Sequence, residues 1–118
     1  DWDALLYARS RTVHAARLGG VGAIDMPFFD ISDHAGLSDD AARVRRLGFK
    51  GKTAIHPSHV SAIQEIFSPS EDEVTQARRV TEAARDSKGV FMLDDVMVDR
   101  PGIVAAERIV AWADAHER

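Results

Sequence analysis

"VGAIDMPFFDI", residues 21–31, is an apolar run too short for a helix, with Asp25 and Pro27 toward its end and polar turn residues after it. It reads as a buried strand with chemistry-bearing residues at its exit. The arrangement returns in "GKTAIHPSHV", residues 51–60. Here a short strand around residues 53–55 leaves through His56 and Pro57, and Ser58 caps a helix with Val60, Ile63 and Phe67 along one face. Upstream, residues 3–18 place Leu5, Leu6, Val13 and Ala16 near one side of a 3.6-residue period, with Arg9, Arg11 and Arg17 elsewhere, and Gly19-Gly20 ends that helix. Between the two strands, Ser38, Asp39 and Asp40 supply a cap and negative charge for another helix, which arginines and Gly48 close. Helix, strand, helix, strand, helix is the alternation of parallel α/β folds.

The second half changes pattern. In "SPSEDEV", residues 68–74, Ser70 and Glu73 have the spacing of a capping box, and the acids suit a helix N-terminus; that helix runs to about Asp86. "VFMLDDVMVDRP", residues 90–101, reads as strand, two-residue turn at Asp94-Asp95, strand; Asp-Asp is a tolerable but not a favoured hairpin turn. A last helix carries Ile103, Ala106, Val110 and Ala113 along one side. Two strands cannot close a parallel sheet, because each needs neighbours for its backbone donors and acceptors. The expectation is that further strands precede Asp1, in a longer protein.

Composition narrows the classes of function. The 118 residues are 45% hydrophobic and 29% charged, with a net charge of −4, so a core is affordable but no concentrated basic surface for nucleic acid exists. The absence of cysteine removes disulfides, thiolate metal sites and thiol nucleophiles, and fits the cytoplasm. No apolar run approaches the roughly 20 residues that cross a bilayer, so no membrane role is expected.

Several residues carry chemistry, each beside a plainer role. Asp25 ends the first strand, where barrel enzymes place substrate-binding groups, or it makes an Asx-type turn before Pro27. His56 holds the equivalent place after the second strand, suited to a hydrogen bond or proton transfer, or satisfied by backbone while Pro57 sets the turn. "GFKGK", residues 48–52, leads into a strand rather than a helix and reads as a turn with solvated lysines. Asp33, His34, Asp39 and Asp40 form an acid-rich loop without the spacing of a metal signature. Asp99, before Arg100-Pro101, is a helix cap or a catalytic acid; local sequence leaves both open.

Taken together, "YARSRTVHAARLGGVGAIDMPFFDISD", "GFKGKTAIHPSHV", "IFSPSEDEVTQARRV" and "VMVDRP" resemble the C-terminal half of the HpcH/HpaI aldolase and citrate lyase superfamily, nearest its citrate lyase beta-like and malyl-CoA lyase-like members. The resemblance implies that residues 1–68 are the C-terminal part of a (β/α)₈ TIM barrel, its last two strands and their helices. Residues 69–118 would be a helix-hairpin-helix extension that acts as lid and oligomerisation element, laid over the active site of the next subunit in a trimer or hexamer. It further implies a CoA channel lined by Asp25, Met26, Pro27, Ile55, His56 and Pro57, with Asp99 as the catalytic lid residue. Magnesium is expected on a glutamate and an aspartate upstream of Asp1, so no metal ligands are expected here. The implied reaction is retro-Claisen or retro-aldol cleavage of a 3-hydroxyacyl-CoA such as malyl-CoA or citryl-CoA, performed by the full-length enzyme and not by the isolated chain. The alternative is a non-catalytic short paralogue that binds CoA or mediates oligomerisation.

Overall fold

The computed structural model describes residues 1–116. The chain forms two compact units, Asp1–Ser68 and Pro69–Arg118. In the first, α1 (Trp2–Leu18), β1 (Ile24–Asp25), α2 (His34–Leu47), β2 (Gly51–Lys52) and α3 (Pro57–Phe67) follow in order. β1 and β2 pair in parallel, Ile24 opposite Gly51 and Asp25 opposite Lys52, with α2 as the crossover between them. Ala23, Val44 and Phe49 form a buried cluster against Trp2, Val13, Ala16, Leu47 and Phe67.

Successive strand residues point to opposite faces, and β1 shows it sharply: Ile24 is 60% exposed while Asp25 is 3% exposed. The Asp25 face meets side chains from α1 and α2; the Ile24 face is open. On that open face Ile24 leans over Gly51, where a Cβ would stand 3.1 Å from the Ile24 Cδ1.

Five local expectations are corrected. α2 begins at His34 and not after Ser38, because Asp33 caps it, its Oδ1 accepting the Gly36 N–H at 2.8 Å. Asp30 sets the preceding turn through Ser32 and the Asp33 amide, so Asp39 and Asp40 fall inside the helix instead of in a loop. β2 lies at Gly51–Lys52 and not at 53–55: the Thr53 amide closes onto the Asp25 carbonyl at 3.0 Å and the chain then turns toward α3. The cap of α3 is His56, whose Nδ1 accepts the Ser58 N–H at 3.1 Å, with Pro57 in the first turn where a missing N–H costs nothing. The buried row of α3 is His59 and Ile63, whereas Val60 is 42% exposed.

The second unit packs α4 (Glu71–Arg85) on α5 (Arg100–His116), joined through the antiparallel hairpin β3 (Phe91–Leu93) and β4 (Val96–Val98). Both halves of the capping box form: the Glu73 amide donates to Ser70 Oγ at 3.1 Å, and the Ser70 amide to Glu73 Oε2 at 2.8 Å. Ala77, Val80, Val98, Ile103 and Ala106 are the core, with Phe91 and Leu93 packed on it. Phe91 faces Val98 on the covered side of the hairpin, and Met92 faces Met97 on the exposed side. Asp94 and Asp95 both adopt positive φ, 51° and 60°, the conformation of a type I′ turn. The strain of a non-glycine there is offset by Arg79, which grips Asp94 through two bonds of 2.6 and 2.9 Å. That grip also lowers the Asp94 carboxyl below its ordinary range.

Candidate functional site

The residues expected at the site fall in both units. Asp25, Met26 and Pro27 leave β1, and Ile55, His56 and Pro57 follow β2; the two segments issue from neighbouring ends of one parallel pair. Met26 and Ile55 are 41% and 44% exposed there. His56 is occupied by its capping role and by Ser58 Oγ, 2.7 Å from Nδ1. Asp99 belongs to the second unit.

The Asp25 carboxylate faces inward, into a closed group of charges. Its Oδ1 accepts from Arg9 Nε at 3.1 Å, and its Oδ2 accepts from Arg9 at 3.0 Å and from Lys52 Nζ at 2.7 Å. Asp40 on α2 completes the group, paired with Lys52 and, at 3.4 Å, with Arg9. Burial pushes the Asp25 carboxyl up, but hydrogen bonds and charge from Lys52 and Arg9 outweigh it and hold the group below the ordinary aspartate range. Two cations and two anions thus balance between strands and helices. What residues 25–27 present outward is backbone, the exposed Met26 side chain and the half-buried Pro27 ring.

The sequence alone places Arg9 off the apolar row, Asp40 at a helix start or in an acid-rich loop and Lys52 in a solvated turn, and so gives none of them a part in this group. Arg9 stands four residues from both Leu5 and Val13, so it interrupts the apolar row of α1 and does not lie away from it; an arginine in such a row is the signal of a buried partner. Lys52 is not a solvated lysine: its side chain is fully enclosed. The Trp2 ring lies against two guanidiniums, 4.5 Å from Arg9 and 4.2 Å from Arg43, and walls a cleft of about 430 Å³ with Met26, Phe28 and Asp40.

His59 is fully buried with both ring nitrogens unpartnered among the described residues. An unmet buried polar group costs about 1–3 kcal/mol, so His59→Leu is expected to raise stability by about 1 kcal/mol, read as a later urea midpoint. A loss of stability would show that the ring has a partner in the folded protein.

In the second unit Asp99 caps α5, its Oδ1 accepting the Gly102 N–H at 3.1 Å while the Ile103 amide donates to its carbonyl at 3.0 Å. No bond to Oδ2 forms among the described residues, and the side chain is half-buried. The cap therefore fixes the carboxylate by one oxygen and leaves the other available. The described residues hold no group of three or more His, Asp or Glu that could bind a metal ion, and no helix long and apolar enough to cross a membrane.

Parallel pairing, the helix-covered strand face and the order of the sequence blocks agree with one class of protein. The chain belongs to the C–C bond lyase family of the TIM-barrel fold, which it matches over residues 11–117. Among particular relatives, it is 34% identical to the citrate lyase subunit beta of Leuconostoc mesenteroides over 98% of its own length and 40% of that protein's. It is 38% identical to the Escherichia coli K12 citrate lyase subunit beta over 93% of this chain and 38% of that one, and 32% identical to the mitochondrial citramalyl-CoA lyase of Rattus norvegicus over 96% and 35%. A Mycobacterium tuberculosis CitE crystal structure, in complex with magnesium, acetoacetate and coenzyme A, superposes with a TM-score of 0.83 at 32% identity, covering 94% of this chain and 42% of that one. The chain thus spans about two fifths of the length of these relatives.

Proposed function

We propose that this chain is the C-terminal part of a magnesium-dependent CoA-ester lyase that cleaves or forms a carbon-carbon bond in a 3-hydroxyacyl-CoA of the malyl-CoA, citramalyl-CoA or citryl-CoA type. Residues 1–68 would complete a (β/α)₈ barrel, and residues 69–118 would form a lid over the site of the next subunit in a homo-oligomer. The observation that carries the reading is Asp99: a carboxylate held at a helix start, just after a hairpin, by one oxygen only. Delivered to a neighbouring site, such a group combines a fixed position with a free oxygen. The cap and the acid are then two uses of one side chain.

In this reading, the hydroxyl proton passes to a base assigned to other parts of the full-length protein as the bond between the hydroxyl-bearing carbon and the carbon next to the thioester breaks, leaving a keto acid and the enolate of acetyl-CoA. Asp99, protonated in a site closed to water, gives its proton to the enolate carbon and is left as carboxylate; in the reverse direction it removes that proton. Met26 and Ile55 offer apolar contact to the CoA moiety, and residues 25–27 and 55–57 line its path with backbone as well. Magnesium would polarise the keto-acid oxygens when bound. The described residues do not fit it, so its ligands are assigned to other parts of the full-length protein.

The test is turnover by the full-length protein, supplied with magnesium and each of malyl-CoA, citramalyl-CoA and citryl-CoA, with acetyl-CoA followed by chromatography. Release of acetyl-CoA from at least one of them, abolished by EDTA, is expected. No cleavage of any, with CoA still bound, would favour a non-catalytic CoA-binding role.

A further inference from the structure

Lys52 makes a third contact that charge balance does not require. Its ammonium donates to Asp25 Oδ2, to the Asp40 carboxylate and, at 2.9 Å, to the Met26 carbonyl. The two carboxylates already compensate its charge; the carbonyl lies one residue past β1, where the chain departs for Pro27. Thr53, the next residue of β2's exit, works alongside it. Its amide and its Oγ1 both donate to the Asp25 carbonyl, at 3.0 and 3.1 Å. Consecutive carbonyls of the β1 exit are therefore tied to consecutive residues of the β2 exit. An ammonium has three protons in fixed tetrahedral directions, and here all three are engaged, which ties the exit to the charge group.

We infer that Lys52, assisted by Thr53, is a positioning residue for CoA-ester binding: it fixes the 25–27 lip against the 55–57 lip without touching the ligand. This rests on the reading above, in which those two segments line the CoA path. Met26 and Ile55 project from the two exits, and their separation is set by the ties that Lys52 and Thr53 make. A small displacement of one lip changes the fit of a ligand that bridges both.

The experiment is calorimetric titration of the full-length protein with CoA, for the wild type, Lys52→Met and Thr53→Val. Lys52→Met is expected to weaken CoA binding about tenfold and Thr53→Val about threefold, the scale of one lost hydrogen bond. In turnover the loss should fall more on KM than on kcat. A purely structural role behaves differently: it lowers the fraction of protein that binds while the remainder keeps the wild-type Kd. Should Lys52→Met fail to fold, Thr53→Val decides, since it keeps its amide bond and its shape. Wild-type affinity in Thr53→Val and in any folded Lys52→Met overturns the inference. Failure of the wild type to bind CoA overturns instead the reading of the site on which it rests.

Discussion

Asp25→Ala is expected to destabilise the folded protein by about 3–5 kcal/mol, the cost of leaving buried charges without their partner. Arg9 and Lys52 would then share Asp40 as their one remaining carboxylate, with the donors that reached Asp25 facing a cavity. The exposed pair of Asp39 and Arg43, at 3.7 Å, provides the contrast: Asp39→Ala should change stability by less than about 0.5 kcal/mol. Urea denaturation of the two variants measures the difference. The pH dependence has a definite sign. Because folding lowers the Asp25 carboxyl, its contribution is complete above the unfolded value of about 3.9 and is lost as pH falls below that and through the folded value. Stability should therefore decline in acid below about pH 4, and Asp25→Asn should remove that component of the decline. A cost below about 1 kcal/mol for Asp25→Ala would show that the charge group is not what secures this unit.

This group also marks where the sequence stops being informative. The capping box at Ser70 and Glu73, the two-residue turn at Asp94-Asp95 and the cap at Asp99 are each written within a few adjacent residues, and each forms. The charge group joins residues 16, 27 and 31 positions apart, and no local pattern announces such pairs. Asp25 accordingly reads from sequence as a strand-end acid for substrate or for an Asx-type turn, whereas its neighbours on α1 and β2 enclose it. The start of α2 was misplaced for a related reason: Ser38 with two following aspartates is the stronger local cap signal, but Asp33 has the geometry, and the helix takes the earlier start. The turn at Asp94 needed Arg79, 15 residues away, to make an unfavoured residue acceptable.

Asp99→Asn in the full-length protein is expected to lower kcat by about 10²–10⁴, the usual contribution of a positioned acid or base, with CoA affinity held within about threefold. Asparagine keeps an oxygen that can accept the Gly102 N–H, so the cap and the hairpin-helix junction persist and stability should change by less than about 1 kcal/mol. Asp99→Ala loses cap and acid together and should cost about 1 kcal/mol of stability as well. Comparing the two separates the oxygen that holds α5 from the one assigned to the proton. If the role is only structural, Asn should restore what Ala removes; if it is catalytic, Asn should restore stability and leave turnover low.

Proton transfer can be watched without bond cleavage. With acetyl-CoA alone in D₂O and magnesium present, the full-length protein is expected to exchange the methyl hydrogens of acetyl-CoA for deuterium, detected by mass spectrometry, and Asp99→Asn is expected to lose that exchange while still binding CoA. Exchange by Asp99→Asn at the wild-type rate would contradict the assignment of Asp99 as the group that gives and takes the enolate proton.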